Sequence, residues 1–157
     1  MSRIRAGELE LFYDTAGTGE PVLMLMGLGG EHHAWDLVRP DLARYRLVLP
    51  DNRDAGASDE ASGPYTLDDM ASDALAVMDA LGIERFHVVG ASMGGAIAQR
   101  LALQAPTRVA TLVLLGTWGR TDPFLATILE SWRLMAERLG YRWQYPEVLG
   151  ALRASVR

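Results

Sequence analysis

Two rhythms of apolar residues alternate along the chain. Glu8-Leu9-Glu10-Leu11-Phe12 has the period of two of a half-exposed strand, and Arg3 to Arg5 reads as a second strand across a turn at Gly7. After the loop Gly17-Thr18-Gly19, Pro21 to Met26 is continuously apolar, as is Tyr45 to Pro50. Such runs suit strands covered on both faces. Phe86 to Val89 and Val109 to Leu115 add two more apolar strands. Between them the period lengthens. In Thr66 to Leu81, the positions Leu67, Met70, Ala74, Met78 and Leu81 share one helical face. Thr66 can cap that helix with Asp69 near a capping box, and Gly82 ends it. Trp35 to Arg44 predicts a helix disturbed by Pro40, and Ala96 to Ala102 predicts another. Strands alternating with helices predict an α/β protein whose sheet is mostly parallel and whose crossovers are helical.

After Gly116 the pattern changes. Asp122-Pro123 is a good helix start, a capping residue followed by proline at the first helical position. Leu125, Ile128, Leu129, Trp132, Met135 and Leu139 then recur at helical spacing, and Pro146 opens a last helical stretch. Of the 157 residues, 49 % are apolar and 22 % charged, which places the chain among ordinary globular proteins of one domain's length. The net charge is -5, and all 15 basic residues are scattered arginines, so no nucleic-acid footprint is expected. There is no cysteine, which removes disulfides, thiolate metal sites and a cysteine nucleophile. No long apolar run suggests a membrane span or a leader, and the expected address is the cytoplasm.

The chemistry concentrates at Gly90-Ala91-Ser92-Met93-Gly94-Gly95, which lies between a predicted strand and a predicted helix. In that context G-x-S-x-G marks a strained turn that exposes a nucleophilic serine, with glycines where side chains would collide. The start of the helix puts backbone N–H groups and a positive dipole end beside Ser92. Two further blocks precede it, Gly27-Leu28-Gly29-Gly30 after one apolar strand and Asp51-Asn52-Arg53-Asp54-Ala55-Gly56-Ala57-Ser58 after the next. The polar side chains of the second are expected to tie the loop to neighbouring backbone rather than to act in catalysis.

Three such blocks in this order resemble the α/β-hydrolase superfamily. The resemblance implies a three-layer α/β/α core over residues 1–118 and a helical cap beginning at 119–157. It also implies that the chain stops after the sixth strand and the start of that cap. Ser92 would be the nucleophile, and the Leu28 and Met93 N–H groups the oxyanion donors. Gly27, His33, Trp118 and Trp132 are candidate lining for the substrate pocket. One departure is informative: the family usually has glycine at the position of Asp54. The Arg53-Asp54 pair is similar to a branch of esterases that includes anthracycline methylesterases, and Pro64-Tyr65-Thr66-Leu67 with Asp79-Ala80-Leu81-Gly82 resembles 3-oxoadipate enol-lactonases. The implied substrate is a small ester or lactone, and no cofactor, metal, nucleic acid or membrane is expected as a partner.

A serine hydrolase of this family also needs an acid and a histidine after its nucleophile. Here His32, His33 and His87 all precede Ser92. His32 and His33 fall near the expected pocket mouth, and His87 reads as structural. Asp122, Glu130, Glu137 and Glu147 fall in the cap-like segment, so no acid is assigned. The missing pair is expected from a further C-terminal segment or a partner chain, and Val109 to Leu115 should present an apolar, unpaired edge. Without a base the chain would be a hydrolase-like binding module. A further alternative is a cofactor-free haloperoxidase or perhydrolase, which uses the same triad.

Overall fold

The computed structural model describes residues 2–139. The helical stretch expected from Pro146 lies outside them. Six strands form one sheet: β1 (Ser2–Ala6), β2 (Leu9–Ala16), β3 (Pro21–Leu25), β4 (Arg46–Pro50), β5 (Phe86–Ala91) and β6 (Val109–Leu115). Their spatial order is β1-β2-β4-β3-β5-β6. β1, β2 and β4 pair antiparallel, and β4-β3-β5-β6 run parallel. β3 therefore lies inside the sheet, and its continuous apolar run has a physical use. Leu23 and Leu25 face one layer with Val48 and Val88, while Val22 and Met24 face the other with Leu47 and Leu49.

The first face is covered by α1 (Leu67–Ala80) and α2 (Met93–Gln104). Thr66 caps α1 through a complete capping box with Asp69. The buried stripe of α1 contains the expected Leu67, Met70, Ala74 and Met78, and adds Ala71, Val77 and a charged residue, Asp73. Opposite, the expected helix over Trp35 to Arg44 is absent. Two short 3₁₀ turns, His32–Trp35 and Pro40–Leu42, take its place. Pro40 has no N–H to continue a helix, so the segment closes i→i+3 bonds such as Leu42 N–H to Arg39 C=O instead. Trp35 and Leu42 still cover the second face of the sheet.

α3 (Pro123–Leu139) begins as expected, with the Asp122 carboxylate accepting the Leu125 N–H at 2.8 Å. Its apolar stripe is only partly covered. Leu129 is 2 % exposed and joins the main core, whereas Trp132 is 43 % exposed and Met135 50 %. β6 is the outer strand of the described sheet, and Val113, Leu114 and Leu115 are exposed on it.

Asp73 needs its partner. Arg53 Nε and Nη2 donate to its two oxygens at 2.6 and 2.8 Å, tying the loop after β4 to α1. Burial pushes the Asp73 carboxyl above its usual range, and Arg53 pulls against it. Replacing Arg53 with methionine leaves that carboxylate buried and unpaired, at an expected cost of about 3 kcal/mol at neutral pH. Because the folded pKa is the raised one, protonation removes the penalty, which shrinks as pH falls through that value. Urea denaturation of R53M and parent at two pH values measures this; a deficit independent of pH would show that Asp73 is not its source.

Candidate active site

β5 runs through Gly90 and Ala91 and hands the chain directly to α2 at Met93. The hinge is Ser92, with φ 53° and ψ -123°, a left-handed conformation that non-glycine residues rarely adopt. The Ser92 N–H donates to Leu115 C=O on β6 at 2.9 Å, and its carbonyl accepts the Gly95 N–H at 3.0 Å. Both bonds hold the strained residue in place. Its side chain is exposed. Neighbouring chain comes very close. A Cβ on Gly94 would stand 2.1 Å from Leu25 O, and one on Gly90 2.5 Å from Gly94 O. A Cβ on Gly27 would stand 2.8 Å from Ser92 Cβ and 3.2 Å from Ser92 Oγ. The glycines are therefore what let β3, the loop after it and α2 converge on one hydroxyl.

That loop turns at Gly29, φ 73°, with the Gly30 N–H donating to Gly27 C=O at 3.1 Å. Leu28 is half-buried against the core, and Met93 is buried at the head of α2. Among the described residues neither the Leu28 nor the Met93 N–H has a hydrogen-bond acceptor. Two free donors in this setting can stabilise negative charge on an oxygen.

The other candidates separate. Gly27 lies against Ser92, as expected of pocket lining. Trp118 packs on the core that contains Leu28 and Met93, and its carbonyl accepts from Gln99 Nε2 of α2 at 2.9 Å. Trp132 lies on the partly covered stripe of α3. His33 is exposed and its Nδ1 lies 2.8 Å from Asp36; that hydrogen bond raises the pKa of its imidazole. His87 sits at the start of β5, at the opposite end of that strand from Ser92, with Nε2 3.6 Å from Glu20.

His32 is buried against Phe12. The Asp51 carboxylate can only accept, so His32 Nδ1 carries the proton of their 2.9 Å bond. No hydrogen bond among the described residues joins Ser92 Oγ to any histidine.

The loop after β4 behaves as a tie. Asp51, 1 % exposed, also accepts the Ala57 N–H at 2.9 Å, and Ser58 Oγ donates to Asp51 O at 2.7 Å while accepting the Phe12 N–H. Gly56 leaves room for this, since a Cβ there would meet Asp51 Oδ2 at 2.1 Å. Asp54 occupies a left-handed position, φ 63°, where glycine would be unstrained. Its carboxylate accepts from Ala61 N–H and Tyr65 O–H, both at 2.6 Å, which a glycine could not do. Glu31, His32 and Asp51 bring potential metal-ligand atoms within 4.8 Å of one another. Asp51 Oδ1 is already committed to two N–H donors from His32.

A mostly parallel sheet with a strained serine between β5 and α2, facing a glycine loop after β3, defines a hydrolase architecture. The model of the alpha/beta hydrolase fold matches residues 20–139, and the chain belongs to that family. Among its relatives is RutD of Azorhizobium caulinodans, provisionally named a carbamate hydrolase, which is 37 % identical over 134 residues. The match covers 83 % of this chain and 49 % of RutD. BpoC of Mycobacterium tuberculosis, provisionally named a non-heme bromoperoxidase, is 40 % identical over 117 residues, 73 % of this chain and 44 % of BpoC. A thermophilic esterase from Thermogutta terrifontis superposes with a TM-score of 0.79 at 28 % identity, covering 99 % of this chain and 66 % of the esterase chain. The chain thus spans about half the length of the curated relatives it matches. No helix among the described residues is long and apolar enough to cross a membrane.

Proposed function

We propose that this chain carries the nucleophile and the oxyanion site of a serine hydrolase acting on carboxylic esters or lactones. The observation that carries it is Ser92 itself: an exposed hydroxyl on a strained turn, with Gly27 against it and two unbonded N–H groups, those of Leu28 and Met93, on the segments beside it. Strain of this kind costs roughly 1–3 kcal/mol and persists where the surroundings enforce it, typically at functional sites. In the reaction Ser92 Oγ bonds to the substrate carbonyl carbon and its proton passes to a base. The carbonyl oxygen takes up negative charge, which the Leu28 and Met93 N–H groups stabilise. Collapse breaks the bond to the leaving oxygen, which takes the proton, and water then cleaves the acyl-serine. The base and its orienting acid come from a segment or partner chain outside the described residues, since no hydrogen bond among the described residues joins Ser92 Oγ to a histidine. Residues 1–118 serve as the core and α3 as the start of a cap.

The likeness to RutD favours one second reading, cleavage of a carbamate. It begins with the same attack on a carbonyl carbon, but that carbon carries a nitrogen whose lone pair makes it less electrophilic than an ester or lactone carbonyl. The test is to treat the protein, isolated from its source cells with any chain bound to it, with a fluorophosphonate and to map the adduct by peptide mass spectrometry. An adduct on the peptide containing Ser92 is the expected result. Its absence from folded protein, or its presence on another serine, overturns the assignment. Turnover of matched ester, lactone and carbamate substrates then separates the two readings.

A further inference from the structure

The loop between β3 and the first 3₁₀ turn has little to hold it from within. Its own internal bond is Gly30 N–H to Gly27 C=O. At its two ends, however, it meets neighbouring side chains of the loop after β4. Asn52 Nδ2 donates to Met26 C=O at 3.0 Å, at the entry to the loop. Asp51 Oδ1 accepts the backbone N–H of His32 at 2.8 Å and the ring Nδ1–H at 2.9 Å, at its exit. Both side chains are buried, and Asp51 is itself fixed through Ala57 N–H on its other oxygen. The Met26 carbonyl is confined from a second side, because a Cβ on Gly94 would stand 2.8 Å from it. One peptide further along is the Leu28 N–H.

We infer that Asn52 and Asp51 are positioning residues: together they grip both ends of the 27–31 loop and so fix the direction of the Leu28 N–H at the Ser92 hydroxyl. The peptide plane that carries the Leu28 N–H follows Gly27, whose lack of a side chain leaves that plane freer to rotate. A donor useful to a developing oxyanion must already point at it, because reorientation during the reaction would forfeit the stabilisation. The post-β4 loop thereby takes part in the chemistry without touching substrate. This role rests on Ser92 being the nucleophile, whereas the grip itself does not.

The test uses N52A and D51N in the full protein, with two readouts. The first is amide hydrogen exchange at Gly30, whose N–H is held by the loop's internal bond to Gly27 C=O, expected to accelerate by about tenfold or more while β3 and β5 amides hold their protection. The second is the kinetics of fluorophosphonate reaction at Ser92, expected to lose about 100-fold in the maximal rate with the half-saturating probe concentration unchanged. Unchanged exchange in the loop overturns the grip whatever the reactivity. Faster exchange with an undiminished maximal rate overturns the positioning role. A parent protein that does not react at all counts against the hydrolase assignment instead, and the exchange readout still decides the grip. Should D51N fail to fold, N52A carries the test. A His32→Asn variant, which can restore a side-chain donor to Asp51, is expected to recover rate that His32→Leu loses.

Discussion

On the proposed reading, Ser92→Ala is expected to abolish hydrolysis, lowering kcat by about 10⁶-fold, the scale reached when a serine hydrolase loses its nucleophile. Stability should barely change, because alanine keeps the Cβ and therefore the strain. Ser92→Gly is expected to be equally inactive and more stable. Glycine occupies φ 53°, ψ -123° without penalty, and relief of strain should exceed the entropy that glycine loses on folding, for a net gain of about 1 kcal/mol. The pair separates two properties of one residue, its hydroxyl and its backbone. Urea denaturation of the three proteins checks the stability half and ester turnover the other. A Ser92→Gly protein less stable than the parent would show that the turn is not strained.

The largest effect on folding is expected from Gly94→Ala. The added Cβ would meet Leu25 O at 2.1 Å and Leu25 C at 2.5 Å. Those are backbone atoms of a strand paired on both sides, and Leu25 is itself in register with Gly90 on β5. No rotamer change can relieve such a clash. Either α2 lifts from β3 or the β3–β5 pairing opens, and a loss above about 4 kcal/mol is expected. Gly63→Ala is the control. A Cβ there meets nothing within 4 Å, so stability should stay within about 0.5 kcal/mol of the parent. Denaturation midpoints compare the two directly, and equal midpoints would refute the close approach at Gly94.

How much of this was legible in the sequence depended on whether the signal was local. Thr66, Asp69 and Gly82 bracket α1, and the structure puts the cap and the stop at those residues. Gly90 and Gly94 announce a tight turn because nothing else fits. The helix expected at Trp35 to Arg44 failed for a local reason too: Trp35 and Leu42 have a helix-like spacing, but Pro40 divides the segment. Contacts distant in sequence left no trace. Nothing near Asp73 shows that an acid in the buried stripe of α1 has Arg53 waiting for it. Nor does any pattern place β4 between β2 and β3. Asp51 and His32 were each visible as polar residues beside a glycine-rich loop, but their bond exists only because β3 and β4 run side by side.

That sheet order bears on when the site comes into being. β5 is synthesised well after β3, with β4 and the whole of α1 between them, yet the two strands are neighbours. Their pairing is parallel and closes a long stretch of chain, the slow kind of step in folding. Ser92 can be forced into its unfavourable backbone only once Gly94 is wedged against Leu25. A nascent or half-folded chain therefore carries a relaxed, ordinary serine, and the reactive geometry arrives only with the closing of the sheet.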